Sequence, residues 1–289
     1  MKILIATDGS KTAEDAARML ARLPHPKAIE LTILAVNYTH PVHGSPEVVQ
    51  WLKDKSEADK VAAHKACQRI EQMFEGANAS VKSAVVQGHA GEAIVHEAQR
   101  RDVDLVVIGS VGHSAFERLL IGSVSDFVAT HAPCSVLVVR PPHPHRPEQP
   151  AMNLCVAYDD SESCKKAIQE VCTFDWSHNS RIDVISIMTL PYMYSEIPIE
   201  IDTLVIKTAM QKTLEDGATN LRQFSANVHS KLIESNHVGD AIVNFAKQEG
   251  SDIIVLGNSG HGLVSRLLLG SASRYVLRHA PCSVWITRG

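Results

Sequence analysis

Short apolar runs, each ended by a turn and followed by a stretch of helical spacing, alternate along the chain and then begin again. Lys2-Ile3-Leu4-Ile5-Ala6-Thr7 is almost continuously hydrophobic, the pattern of a parallel strand buried on both faces. It ends in Asp8-Gly9-Ser10, and Ala13, Ala16, Ala17, Leu20 and Leu23 then recur at helical spacing over 11–23. A second strand is expected over 30–37, a loop over 41–46 and a long charged helix over 47–74. A third strand over 81–87 and a helix over 92–101 follow. Leu105-Val106-Val107-Ile108 forms a fourth strand ending at Gly109; a helix starts near Ser123, and Ser135 to Val139 closes the unit as a fifth strand. Strands alternating with helices in this way predict an α/β unit with a parallel sheet.

The pattern restarts after residue 151. A strand over 153–158 leads into Asp159-Asp160-Ser161, which stands where Asp8-Gly9-Ser10 stood. A helix over 162–174, a strand over 181–188, a loop over 191–198 and a long helix to about 224 follow. From Gly239 to Arg288 the chain aligns without a gap against Gly91 to Arg140, with about half the positions identical. A repeat of this length is two copies of one domain, since solenoid repeats run ~20–50 residues. The expected organisation is a first domain over 1–140, a proline-rich linker over 141–151 and a second domain over 152–289.

Composition narrows the function. The 289 residues carry a formal net charge of -4, with no basic excess that would mark a nucleic-acid surface. The apolar runs are strand-sized, well short of the ~20 residues of a membrane span, and no signal-peptide pattern precedes the first strand. The expectation is a cytoplasmic protein that binds neither nucleic acid nor membrane. The six cysteines show neither C-x-x-C pairs nor zinc-ligand spacing and read as buried free thiols. His143 and His145 lie in the linker, and no metal site is expected from the dispersed histidines.

The chemistry is concentrated in a stretch that occurs twice. Gly109-Ser110-Val111-Gly112 is followed nine residues on by Gly122-Ser123, and Gly257-Asn258-Ser259-Gly260 by Gly270-Ser271 at the same spacing. Glycine allows close approach of backbone to a ligand. The free N–H groups of a helix start, reinforced by the macrodipole, favour phosphate. Ser123 and Ser271 can cap the next helix or offer a hydroxyl to an anion. The same pattern also suits a tight strand-to-helix turn in which glycines satisfy sterics and serines only cap. In an open parallel sheet, ligands sit beyond the carboxyl ends of the strands at the switch in strand order. Asp8 at such a place either accepts hydrogen bonds from a nucleoside or caps the first helix, and Asp159 or Asp160 inherits that ambiguity.

Ile5-Ala6-Thr7-Asp8-Gly9-Ser10, the G-x-x-G-x9-G-S stretch and His131-Ala132-Pro133-Cys134-Ser135-Val136 together resemble the universal stress protein family in a tandem two-domain form. In the second half the carriers are Asp159-Asp160-Ser161, the second glycine stretch and His279-Ala280-Pro281-Cys282-Ser283-Val284. The resemblance implies two Rossmann-like domains, each a five-stranded parallel sheet in the order 3-2-1-4-5 flanked by helices. The glycine motif marks the family's ATP-binding branch. It implies adenine and ribose near Asp8 and the backbone of Val36, with phosphates on Gly109, Gly112, Gly122, Ser123 and Val124. The matching second site would use Asp159, Ile187, Gly257, Gly260, Gly270, Ser271 and Ala272. Family members pair through their last strands, which implies an internal pseudo-dimer here and leaves a homodimer open.

The implied function is an adenine-nucleotide-binding regulatory protein of the stress response, taking ATP, ADP or AMP with accompanying Mg2+. No Walker A lysine follows the glycines, so hydrolysis is at most slow. The alternative is a stress-related scaffold whose nucleotide sites are vestigial. The halves also differ. Asn258 replaces Ser110, and Arg274 stands where Asp126 forms, with Ser123, an acidic version of a capping box. Arg274 at a helix start suits a nearby anion, so the second site is expected to tolerate more phosphate charge.

Overall fold

A computed structural model describes residues 1–23, 25–38, 45–112, 121–141, 151–176, 180–189, 203–258 and 269–288. The chain divides into two compact units, Met1–Pro142 and His143–Gly289. In unit 1 the order is β1 (Lys2–Thr7), α1 (Lys11–Arg22), β2 (Ile29–Asn37), α2 (Pro46–Met73), β3 (Ala79–Gln87), α3 (Ala90–Arg100), β4 (Leu105–Gly109), α4 (Ser123–His131) and β5 (Ser135–Val139). All pairings are parallel: β3 with β2, β2 with β1, β1 with β4, and β4 with β5. The chain thus steps outward from β1 in one direction and then in the other, which places the switch between β1 and β4.

The strand sequences account for these positions. β1, β4 and β5 are buried along almost their whole length, as strands covered by helices on both faces must be. β3 carries only exposed and half-buried residues, in keeping with an outer strand of its sheet. α1 packs through Ala13, Ala16, Ala17 and Leu20, and its small residues let the helix approach β4 closely. A Cβ on Gly109 would lie 2.9 Å from the Thr12 carbonyl oxygen, so this glycine is required by the backbone of α1 whatever else it does. α2 buries only Ala66, Cys67 and Ile70, all near its C-terminal end.

Unit 2 runs β6 (Asn153–Ala157), α5 (Glu162–Val171), β7 (Arg181–Met188), α6 (Thr203–Arg222), β8 (Val228–Glu234), α7 (Val238–Glu249), β9 (Ile253–Gly257), α8 (Ser271–His279) and β10 (Ser283–Thr287). The pairings repeat those of unit 1: β8 with β7, β7 with β6, β6 with β9, and β9 with β10, all parallel. A Cβ on Gly257 would lie 2.7 Å from Ser163 Cβ, the same close approach of helix to strand.

α5 is shorter than the pattern suggested. It stops at Val171, whose carbonyl accepts from the Trp176 indole N–H at 2.7 Å, while Phe174 turns edge-on to the buried Trp285. Apolar periodicity continued past the helix end because the residues that leave it still enter the core. Cys67, Cys155 and Cys164 are buried, whereas Cys134, Cys172 and Cys282 are half-buried. His143, His145 and most of the linker lie outside the described residues.

Candidate functional site

In unit 1 the carboxyl ends of β1 and β2 open onto a crevice of about 510 Å³ closed on its far side by α2. Thr7, Asp8 and Gly9 come from the end of β1, Ala35, Val36 and Asn37 from β2, and Asp59, Ala62, Ala63, Lys65 and Arg69 from α2. That volume lies in the range of ~300–1,000 Å³ typical of small-molecule sites. Asn37 is buried, and its side-chain amide donates to the Ser56 carbonyl at 3.4 Å, tying β2 to α2. Arg69 donates through Nε to Glu14 at 2.8 Å and through a terminal nitrogen to the Gly9 carbonyl at 3.3 Å. The crevice is therefore apolar along its strand and alanine walls, with both charge signs at its edges.

Asp8 is not the cap of α1. That role belongs to Ser10, whose Oγ accepts from the Ala13 N–H at 3.3 Å. Asp8 Oδ1 instead accepts from the Ser10 N–H at 2.9 Å, an Asx turn that fixes the carboxylate at the strand end. Gly9 takes the positive φ of 78° that this turn requires. The other carboxylate oxygen faces the glycine loop, since a Cβ on Gly112 would lie 2.8 Å from Asp8 Oδ2. The Thr12 hydroxyl donates to the Val111 carbonyl, joining the start of α1 to the same loop. Asp8 thus lines the crevice and abuts Gly112.

The glycine stretch differs from expectation in its capping. The N-cap of α4 is Gly122, and that of α8 is Gly270, each with extended backbone and no side-chain cap. Ser123 and Ser271 are the first helical residues and are exposed, as the chain enters the helix one residue earlier than the serines suggest. Asp126 consequently lies one position too far along for a capping box; its N–H bonds to the Gly122 carbonyl as an ordinary helical bond. Arg274 makes the corresponding bond to Gly270. The first-turn N–H groups of each helix have no carbonyl four residues back within it, and its glycine cap supplies no side chain.

Two serines that motif reasoning passed over hold these turns. Ser125 Oγ donates to the Gly109 carbonyl, and Ser273 Oγ to the Gly257 carbonyl, each at 2.7 Å. Both were visible as the second serine of Gly-Ser-x-Ser. Gly122 N–H donates to the Ser110 carbonyl and Gly270 N–H to Asn258, again both at 2.7 Å. Ser110 Oγ, 1% exposed, has no hydrogen-bond partner among the described residues. The side chains that α2 adds, Asp59, Lys65 and Arg69, carry no sequence signal beyond their charge.

In unit 2, Asp159 matches Asp8, not Asp160: its Oδ1 accepts from the Ser161 N–H at 3.0 Å. Asp160 takes Gly9's place with φ 63°. Ser161 caps α5 through the Cys164 N–H. Ile187, half-buried and paired with Ile233, holds the position of Val36, half-buried and paired with Val86. Val124 and Ala272 are the second residues of α4 and α8. Gly260 lies outside the described residues.

The universal stress protein family model matches residues 1–140 and again 151–288. Universal stress protein Rv2623 of Mycobacterium tuberculosis is 23% identical over 301 residues, covering 99% of this chain and 96% of its own. Universal stress protein MJ0531 of Methanocaldococcus jannaschii is 31% identical over 141 residues, 49% of this chain and 82% of its own. The crystal structure of a universal stress protein from Archaeoglobus fulgidus superposes with a TM-score of 0.63 at 21% identity, covering the whole of this chain and 96% of that one. No helix among the described residues is long and apolar enough to cross a membrane.

Proposed function

The chain belongs to the universal stress protein family, and from that premise we propose that it is an adenine-nucleotide-binding regulatory protein whose nucleotide site is the crevice of unit 1. The observation that carries this reading is the position of Asp8, which lines the crevice and abuts Gly112 of the glycine loop. A base and ribose between the ends of β1 and β2 and the alanines of α2 would have the carboxylate of Asp8 as acceptor for ribose hydroxyls. Phosphates directed toward the glycine loop would meet the N–H groups of Ser123 and Val124 at a helix start whose cap has no side chain. The buried hydroxyl of Ser110 beside that start is a further donor. Mg2+ would accompany the nucleotide, held mainly by phosphate oxygens and water. Binding would act through the Val111–Gly112 turn that Thr12 and Asp8 contact, and through it on the affinity for a downstream partner.

Calorimetric titration of the nucleotide-stripped protein with ATP, ADP and AMP tests this, with Gly122→Asp as the variant. Asp is a good N-cap, so α4 keeps its start, while its carboxylate is set against incoming phosphate. Micromolar binding by the wild type that the variant loses is the expected result. Absence of binding by the folded wild type would overturn the reading and leave the glycine stretch as loop architecture in a scaffold.

A further inference from the structure

Adenine and guanine differ in the donors and acceptors along the base edge. A crevice that selects one of them by its side chains needs a donor and an acceptor set side by side. Of the side chains lining the unit 1 crevice, Asp8 and Asp59 are acceptors alone, and Lys65 and Arg69 are donors alone. The Thr7 hydroxyl accepts from the Gly9 N–H at 3.1 Å. Asn37, at the end of β2 and 5% exposed, is the one lining side chain that carries both kinds on adjacent atoms.

Strand geometry puts that amide where a base would lie. β1 and β2 pair with Thr7 opposite Ala35, so Asp8 and Asn37 end neighbouring strands whose axes lie about 4.8 Å apart. Side chains alternate along a strand, which sets Asn37 with Ala35 on the face covered by α2, and the bond to Ser56 of α2 agrees. A nucleoside whose ribose meets Asp8 then extends its base along Ala35, Ala62 and Ala63 toward Asn37. The amide is also held in one orientation. The Ser56 backbone carbonyl only accepts, so Nδ2 faces α2 and donates to it at 3.4 Å. This is the side chain's one hydrogen bond among the described residues, which leaves Oδ1 and the second Nδ2 hydrogen for whatever fills the crevice. Turning the amide over would set Oδ1 against the Ser56 carbonyl, so the pattern offered to a ligand resists being reversed.

We propose that Asn37 selects the base: Oδ1 accepts from the N6 amine of adenine, and the second Nδ2 hydrogen donates to a ring nitrogen beside that amine. Guanine and hypoxanthine carry a carbonyl at position 6, which would set one acceptor against another at Oδ1. A site built to hydrogen-bond a ligand group discriminates strongly against an analogue that leaves the site's own group unpaired. In unit 2, Ile187 holds the place of Val36, and the next residue is Met188, 2% exposed, which offers no such pair. The same strand end therefore accommodates a methionine, and the base-reading amide belongs to unit 1. This rests on the nucleotide reading of unit 1, and the measurements below separate the two.

The full-length, nucleotide-stripped protein is titrated with ATP and with inosine triphosphate, which has the position-6 carbonyl without guanine's amine. The forms compared are wild type, Asn37→Met and Gly112→Val. A valine at 112 projects onto the Asp8 carboxylate, so the binding that it removes is that of unit 1. For that binding the wild type should hold ATP about 5- to 150-fold more tightly than inosine triphosphate, the discrimination of one bidentate amide–adenine pair. Asn37→Met should bring the two dissociation constants together. A side chain that only ties β2 to α2 would weaken both nucleotides alike, so an unchanged ratio in Asn37→Met overturns the proposal. Equal affinities in the wild type overturn it as well. Where Asn37→Met does not fold, the wild type is titrated with 1-deaza-ATP and 7-deaza-ATP, each lacking one ring nitrogen beside the amine. One of the two should bind more weakly than ATP, and two affinities equal to that of ATP count against the proposal decisively. Should neither ATP nor inosine triphosphate bind, the nucleotide reading of unit 1 fails and the proposal falls with it.

Discussion

Ser125 and Ser273 donate to the carbonyls of Gly109 and Gly257 from inside the first turn of α4 and α8, where both hydroxyls are buried. Removing one hydroxyl leaves a buried strand-end carbonyl with one acceptor contact fewer, a loss of about 1–3 kcal/mol. Ser125→Ala is therefore expected to lower the urea midpoint of unit 1 without changing the m-value. Gly109→Ala acts at the same place by another route. Its Cβ would meet the Thr12 carbonyl at 2.9 Å, and the overpacking should cost on the order of 1–3 kcal/mol. An unchanged midpoint in Gly109→Ala would show that α1 can move away freely. The repeated Gly-Ser-x-Ser was legible in the sequence, but its spacing could not say which serine turns back to the strand. That choice depends on the chain entering the helix at Gly122, one residue earlier than serine's capping preference suggests.

At the scale of the element, α3 shows how a helix end acquires pH dependence. Glu97 is largely buried and accepts from Arg100 at 2.6 Å and from Arg101 at 2.8 Å. The Arg100 hydrogen bond, more than offsetting the burial that opposes it, and the Arg101 bond with it, pull the Glu97 carboxyl down to about 2. An ordinary glutamate in the unfolded chain titrates near 4.3. The folded form is thus the weaker proton binder, so the stabilisation is fully present above about pH 4.3 and is lost as pH falls toward 2. Glu97→Gln should flatten that acid limb when urea midpoints are measured between pH 5 and pH 2. A limb of equal slope in the variant would assign the acid sensitivity to other carboxylates. The periodicity of α3 was plain in sequence, whereas its start at Ala90 was not, because His89 stands at the cap without a side-chain cap bond.

At the scale of the whole molecule, two cores built from one pattern carry different side chains, and the pattern alone conceals the difference. Duplication, strand sequence and the acid-glycine-serine turn were all readable because each repeats at fixed spacing. The crevice was not, because it depends on α2 residues that share only charge and small size. The tryptophans offer a way to follow the units separately. Trp176 and Trp285 are buried in unit 2, while Trp51 is exposed on α2 of unit 1. A red shift of tryptophan emission on heating therefore reports chiefly the melting of unit 2, and far-UV circular dichroism reports both units. A ligand held by the native state at about 100 times its Kd adds about 2.7 kcal/mol to the stability of whatever binds it. With ATP bound in unit 1 alone, the dichroism transition should move up and broaden apart from the emission transition, which should stay near its ligand-free midpoint. Equal shifts by both probes would mean either that unit 2 also takes nucleotide or that the two units melt as one. Gly112→Val separates these: it should abolish both shifts where the units melt together, and only the unit 1 shift where unit 2 has a site of its own.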